Sequence, residues 1–503
     1  MRFRSGGVGV TEGQEPEDSS SAGVPLCVDL DGTLIRSDLL YEGLARLPKG
    51  GVLALIQAPF WLSRGRAGFK REVASRVALE PASLPYDARV IEFLRGERSR
   101  GRRLVLVTAS DLGWAEQVAA HLELFDEVMG SDGSTNLEGE TKARALVERF
   151  GDRGFDYAGN GPSDVPVWKK ARRAIAVNAP RAIENGLRQD GNLVESFPSA
   201  PVTAKTLVEA IRMRQWVKNL LVFIPIITAH KIQDRGVLAA GALAFAAISL
   251  CASGIYLLND LLDLDSDRRH PKKQGRPIAN GSLAIPYAAV LSLVLIAAGF
   301  AISMRLPADA VKLIVVYLVA TTAYSLTLKR RVLLDVFTLS FLYTLRVLLG
   351  GAATGLLLSP WFLAFSVFTF LSLAFCKRAS ELVRLKKSEV TEAHGRAYFT
   401  WDQVVVQTCG ITSGYLAAIV LALYLQSDTV RRFYVSPAWL WLLVPVFLYW
   451  ISRIWVLVNR GEMDEDPVLF ATRDRVTYLI ALLSAAVFVL ATYGPFSLPG
   501  VQP

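Results

Sequence analysis

Apolar residues are spread unevenly along this chain, and their spacing changes character near residue 210. Before that point they come in short runs, at 25–29, 103–108, 155–158 and 174–177, separated by segments with helical spacing. Short apolar runs alternating with helices predict a parallel sheet covered on its faces. Beyond that point, apolar runs of roughly the 20 residues needed to cross bilayer hydrocarbon recur. They lie at 217–229, 237–258, 286–304, 308–328, 333–353, 360–376, 403–425, 437–458 and 476–494. The pattern predicts a Rossmann-like α/β domain over 24–200 and an all-α bundle of nine transmembrane helices within 208–495. The first run is the weakest, being short and interrupted by Pro225. Residues 1–23, rich in Gly, Ser and Glu, predict a disordered tail.

Charge gives the spans a direction. With nine spans, loops on one side, at 268–276, 329–331, 377–396 and 460–475, carry seventeen Lys and Arg. Those on the other side carry five: Lys231, Arg235, Arg305, Arg431 and Arg432. The positive-inside rule then places the first set, and the N-terminal domain, in the cytoplasm, and the expected location is the inner (cytoplasmic) membrane. The net charge of +9 is accounted for by these loops. No nucleic-acid module, signal peptide or fixed-period repeat is visible. The four Cys show neither metal spacing nor a disulfide framework.

The chemistry concentrates at the end of the second run, in IYLLNDLLDLDSDRRHPKKQGRPIANG (255–281). An ionisable group near hydrocarbon is costly unless it is paired or functional. Asp260, Asp263 and Asp267 recur every three or four residues, which on a helix puts them on one face where they can share divalent cations. His270, Lys272, Lys273 and Arg276 follow within one loop. Hard oxygen ligands for Mg²⁺ beside phosphate-binding cations suit a substrate that carries a diphosphate. The plain alternative, a charged loop obeying the positive-inside rule, accounts for the Lys and Arg but not for the regular acids.

The α/β domain has chemistry of its own. In CVDLDGTLIRSD, two acids two residues apart follow the first strand, so Asp29 is expected to attack phosphorus and Asp31 to protonate the leaving oxygen. Thr108, ending LVLVTAS, can hydrogen-bond the transferred phosphoryl group. Lys142 in GETKARAL can neutralise developing charge, and Asp164 in YAGNGPSD can hold Mg²⁺ with Asp29. In order and spacing these segments resemble the haloacid dehalogenase phosphohydrolase superfamily over about 24–180. The resemblance implies a small helical cap at about 36–100. Within it, the apolar run 50–62 reads as cap core, with contact to the membrane or to the other domain as the alternative. One position departs from the family, which usually has Gly-Asp where this chain has Gly159 and Asn160. An amide offers a metal only a neutral oxygen, which predicts weaker Mg²⁺ binding and slower turnover. A phosphatase fold kept for docking or regulation therefore stays open beside an active enzyme.

The membrane half resembles the UbiA superfamily of intramembrane prenyltransferases, whose N-D-x-x-D-x-x-x-D motif is matched by Asn259, Asp260, Asp263 and Asp267. Typical members carry a second aspartate ladder in a later loop. Here the corresponding regions offer YSLTLKRRVLLDV, KRASEL and DEDPVLFATRDR, with Asp335 and Glu381 but no regular ladder. RQWVKNLLVF, HPKKQGRPIANG, YTLRVLLGG and KRASEL look instead like the branch that makes polyprenyl-phosphoryl 5-phosphoribose from phosphoribosyl diphosphate and a polyprenyl phosphate. That resemblance implies Mg²⁺ on Asp260, Asp263 and Asp267, with Asn259 as a neutral ligand. Lys273, Arg276, Tyr324 and Lys329 would meet the donor's phosphates, and Lys218, Arg346 and Lys377 the lipid phosphate or the 5-phosphate. A fused phosphatase would then remove the 5-phosphate, leaving a lipid-linked ribose from which arabinofuranose donors for surface glycans are made. The alternative is a prenyltransferase acting on an aromatic or quinone precursor, with an inactive phosphatase-like domain. A transporter and a membrane anchor fit less well, and a homo-oligomer is compatible with every reading.

Overall fold

A computed structural model describes residues 23–50, 52–199, 201–387, 397–427, 430, 434–463 and 466–493. The expected tail at 1–23 therefore lies, but for its last residue, outside the described residues. The chain divides into two compact units. One comprises the described residues up to Thr203 together with Asp267–Pro286; the other comprises Ala204–Ser266 and the described residues from Tyr287 onward. The division by sequence at about 200 thus leaves out one segment, 267–286, which belongs to the first unit although it lies between apolar runs.

The first unit is built on a six-stranded parallel sheet of order β3-β2-β1-β4-β5-β6. The strands are β1 Leu26–Val28, β2 Leu104–Asp111, β3 Glu127–Ser131, β4 Asp156–Gly159, β5 Ala174–Val177 and β6 Leu193–Phe197. Four match the expected runs, and the two edge strands add to them. The central strands are mostly apolar because helices cover both faces, as parallel sheets require, the polar exceptions being Thr108, Ser110 and Asp111 on β2 and Asp156 on β4. One core gathers Leu26, Val28, Leu104, Leu106 and Trp114. The other gathers Cys27, Val105, Tyr157 and Trp168. Helices at Leu39–Arg46, Val52–Trp61 and Gly65–Arg76 form the cap inserted after β1. In its apolar run Ala58 and Trp61 are buried, whereas Phe60 and Leu62 are exposed, so only part of that run is cap core.

The second unit is helical. Eight described helices are long and apolar enough to cross a membrane: Arg235–Leu262, Ile285–Ser303, Ala308–Leu326, Leu334–Thr354, Pro360–Lys387, Thr400–Leu425, Pro437–Arg460 and Arg475–Tyr493. The expected span at 217–229 is not among them. There the chain forms a 3₁₀ helix, Met213–Phe223, followed by a five-residue α-helix, Ile224–Thr228. The reason is local. Pro225 has no N–H to continue a helix from upstream, and Lys218 and Asn219 are drawn inward onto polar partners. The segment lies close against Leu334–Thr354, where a Cβ on Gly350 would collide with the Val222 carbonyl, so glycine is required.

Inside this unit, Arg378 is fully buried and donates to Asp335 at 2.9 Å. It also bonds Glu381, and the Tyr398 hydroxyl donates to Asp335 at 2.7 Å. The two later acids that failed to form a second ladder are thus joined through one guanidinium. Removing one member of a buried pair strands the other charge at a cost of about 3–5 kcal/mol, whereas an apolar pair of similar volume is often tolerated. We expect Arg378→Met to lower the melting temperature in detergent sharply. The double variant Arg378→Met/Asp335→Leu should recover much of the loss, as read by thermal unfolding.

Candidate active sites

The first unit's site forms at the carboxyl ends of β1, β2 and β4, where an α/β sheet opens its loops. Asp29 follows β1, and its N–H donates to the Ala158 carbonyl on β4 at 2.9 Å. The turn beyond it needs Gly32, with φ of +75°, since the Asn160 side chain occupies the space a Cβ would take. Lys142 lies 2.7 Å from Asp29 and 3.4 Å from Asp164. Tyr157 donates to Asp164 at 2.7 Å, and the backbone N–H groups of Asn160 and Gly161 donate to the other Asp164 oxygen at 2.9 and 3.2 Å. Asp29, Lys142 and Asp164 are all buried.

Burial pushes the Asp29 carboxyl up to about 7, with Lys142 opposing and the charges of Asp164 and Asp31 reinforcing the shift. One ammonium shared by two buried acids leaves the group short of positive charge. That deficit, together with hard oxygen donors, fits Mg²⁺ on Asp29 and Asp164. Asp31 is held differently. Ser110 donates to it at 2.6 Å, Thr108 at 3.1 Å and the Leu39 N–H at 2.7 Å. Burial, reinforced by Asp38, pushes its carboxyl up to about 6 against those bonds. The Thr108 hydroxyl expected on a phosphoryl group is thus occupied by Asp31, while Ser110 N–H donates to Thr108 at 3.0 Å.

In the second unit, Asn259 and Asp260 lie in the last turn of Arg235–Leu262, and Asp263 is its C-cap. A new short helix, Leu264–Arg269, starts afterwards. The expectation that Asp260, Asp263 and Asp267 share one helical face is therefore corrected: the helix ends at the second of them. Among the described residues no three acids, His or Cys stand grouped to hold a metal. Each acid has a cation instead. Asp260 is bonded by Arg212. Asp263 receives Lys329 at 2.7 Å on both oxygens and the Asn259 amide at 3.1 Å. In the first unit, Asp267 is bonded by Arg276, with Lys273 at 3.9 Å. Carboxylates at the negative end of a helix are unfavourable without a cation, so Asp260 and Asp263 fit a divalent ion by donor type and by position.

A buried basic cluster occupies the same unit. Lys218 bonds Asp466, and Arg346 donates to Asn219 at 2.8 Å and to Tyr317 at 3.3 Å. Lys218 and Arg346 also lie against the Tyr343 ring, at 5.9 and 5.7 Å from its centroid. Tyr324 lies half-buried near the end of Ala308–Leu326, and Lys377 lies half-buried in Pro360–Lys387.

A family model described as haloacid dehalogenase-like hydrolase matches residues 26–169, and one described as UbiA prenyltransferase family matches residues 222–473. The chain belongs to the UbiA prenyltransferase family. Its haloacid dehalogenase-like domain is fused ahead of the UbiA domain, and it is an integral membrane protein. An uncharacterized protein of Sinorhizobium fredii, y4nM, is 36% identical over 93% of this chain and 91% of its own length. Nodulation protein NoeC of Azorhizobium caulinodans is 35% identical over 57% of this chain and 93% of its own. Decaprenyl-phosphate phosphoribosyltransferase of Mycobacterium tuberculosis is 32% identical over 55% of this chain and 90% of its own.

Within this UbiA-family chain, residues that sequence reading passed over complete the sites. Arg212 lies six positions before Lys218, in RMRQWVKN, where it reads as an ordinary flanking cation. Asn219 sits beside the expected Lys218, and Asp466 lies in the DEDP stretch that offered no ladder. Ser110 stands two residues after Thr108, the one signal that pointed to it.

Proposed function

We propose that this protein transfers 5-phosphoribose from phosphoribosyl diphosphate to a polyprenyl phosphate, then removes the 5-phosphate. The observation that carries the reading is the pairing of the Asp260 and Asp263 carboxylates with Arg212 and Lys329, in a chain 32% identical to a decaprenyl-phosphate phosphoribosyltransferase. Carboxylates and cations at one helix end suit a diphosphate leaving group.

In the first step an oxygen of the lipid phosphate bonds to ribose C1, and the C1–O bond to diphosphate breaks with its electron pair on the leaving group. Arg212 and Lys329 would exchange their carboxylates for diphosphate oxygens as negative charge gathers there. Lys273 and Arg276 serve the donor phosphates in the same way. Lys218 and Arg346 receive the lipid phosphate, and Tyr343 and Asn219 hold them in place. In the second step an Asp29 oxygen attacks the 5-phosphate phosphorus, and Asp31 gives its proton to the departing ribose O5. Lys142 steadies charge on the transferring group, and water then cleaves the phosphoaspartate. Asp29 and Asp164, and Asp260 and Asp263, would hold Mg²⁺, which would supply further neutralisation of phosphate charge.

On this reading the protein lies in the inner membrane with both sites on the cytoplasmic face, and its product feeds arabinofuranose donors for surface glycans. The test is incubation of the full chain in detergent with Mg²⁺, phosphoribosyl diphosphate and polyprenyl phosphate, with lipids read by mass spectrometry. Polyprenyl-phosphoryl ribose is expected. No lipid product, under conditions where a prenyl diphosphate is consumed with an aromatic acceptor, would overturn the reading in favour of an aromatic prenyltransferase.

A further inference from the structure

The turn that carries Arg212 is fastened by a single hydroxyl. Ser253, fully buried about two turns before Asp260 on the span Arg235–Leu262, donates to the Ile211 carbonyl at 2.7 Å. It accepts from the Trp216 indole N–H at 2.9 Å. Serines inside helices commonly donate to their own helix one turn back, as Ser380 and Ser413 do. Ser253 sends its proton to another segment instead, and the indole, which can only donate, fills its acceptor side. Both capacities of one oxygen are thus spent on residues that flank Arg212.

Arg212 needs the fastening. Its φ is +52°, a left-handed backbone that a residue bearing a Cβ adopts only where its surroundings hold it there. In that conformation the guanidinium lies 5.2 Å from the centre of the Tyr256 ring and bonds Asp260. Ser253, Tyr256 and Asp260 follow one another at spacings of three and four residues, so they share one face of the helix. That face fixes the backbone beside Arg212, supports its side chain and receives its charge in succession. Ser249, one turn earlier and as deeply buried, serves a different residue: it accepts from the Asn219 amide at 3.0 Å.

We infer that Ser253 is a positioning residue for the transferase: through the Ile211 carbonyl it holds Arg212 in the conformation that brings its guanidinium to the leaving diphosphate beside Asp260. The inference rests on the transferase reading above, and each residue involved belongs to the helical unit. Without the hydroxyl the Arg212 backbone relaxes out of the left-handed region, and its side chain is no longer aimed at Asp260. An interaction that strengthens only as charge gathers on the leaving group is lost in kcat, with KM left in place.

The test is steady-state transfer by the full chain in detergent, beside amide hydrogen exchange across 209–216. Ser253→Ala should lower kcat about tenfold, with the KM for phosphoribosyl diphosphate and for polyprenyl phosphate each within about threefold of wild type. Arg212→Gln should lower kcat about a hundredfold, and the double variant should fall no further, since both changes remove one contact. Ser249→Ala, which loses an equally buried hydroxyl away from Arg212, should cost the same factor in the Arg212→Gln background as alone. Damage to the fold would also multiply in that way, so a Ser253→Ala loss that multiplies with Arg212→Gln would overturn the inference, as would a wild-type kcat. Where Ser253→Ala does not fold, Ser253→Cys fills the same space with a weak donor and carries the same expectation. Exchange across 209–216 should rise in the Ser253 variant and stay at the wild-type level in Ser249→Ala. Absence of any lipid product from the wild type would sink the transferase reading instead, and unchanged exchange in Ser253→Ala would then still overturn the hold on Arg212.

Discussion

Asp29→Asn should leave transfer running and halt the product one step later, as polyprenyl-phosphoryl 5-phosphoribose. The substitution keeps the side chain's shape and removes the attacking oxygen's charge. Lys142 keeps Asp164 at 3.4 Å and Tyr157 at 3.0 Å, so the buried ammonium is not left without partners. Loss of a covalent nucleophile costs on the order of 10³-fold or more in kcat. Mass spectrometry should show the 5-phosphate lipid accumulating at the wild-type rate of transfer, with free phosphate release falling at least that far. Equal amounts of dephosphorylated lipid from variant and wild type would remove the nucleophile's role from Asp29. The same outcome in the wild type, a halt at the 5-phosphate, would say that the neutral Asn160 oxygen has silenced the domain.

Asp260→Ala should stop the first step outright. Asp260 is buried at the carboxyl end of its helix and is held by Arg212. Removing it takes away an oxygen ligand, releases Arg212 and lessens the negative field that draws a cation there. Losing several kcal/mol of charge stabilisation at a leaving diphosphate corresponds to roughly a thousandfold or more in rate. No phosphoribosylated lipid should form, while hydrolysis of p-nitrophenyl phosphate by the sheet domain continues and reports an intact protein. Transfer within tenfold of wild type would show that the ladder does not serve the leaving group.

What could be read in the sequence and what could not divide along physical lines. Asp29 could be named because it follows a short apolar run whose end a parallel sheet gathers with others, and Lys142, 113 residues away, because it lies in GETKARAL, one of the segments whose order and spacing carry the family resemblance. The edge strands Glu127–Ser131 and Leu193–Phe197 escaped notice. Their residues are largely half-buried or exposed, so no continuous apolar run marks them. The segment at 217–229 looked like a span because Leu220, Leu221, Val222 and Phe223 outnumber its polar neighbours. Its conformation is decided by Asp466 and Arg346, far away in sequence, which claim Lys218 and Asn219. The aspartate spacing suggested one helical face, and periodicity alone could not disclose that the helix stops at Asp263. Arg212 was illegible for a similar reason: a cation flanking an apolar run has many ordinary uses, and only the fold shows which carboxylate it meets.

The segment 267–286 has a consequence for how the molecule is made. All six strands of the sheet have been synthesised once Phe197 is added, but Arg268 comes only after the 28 apolar-rich residues of Arg235–Leu262. Until then the buried Glu42 of the cap has Arg46 at 2.6 Å but lacks Arg268, whose two terminal nitrogens bond it at 2.9 and 2.7 Å. The final closure of the cap therefore waits on synthesis of the first long span, so the sheet domain's maturation is ordered behind the start of membrane insertion.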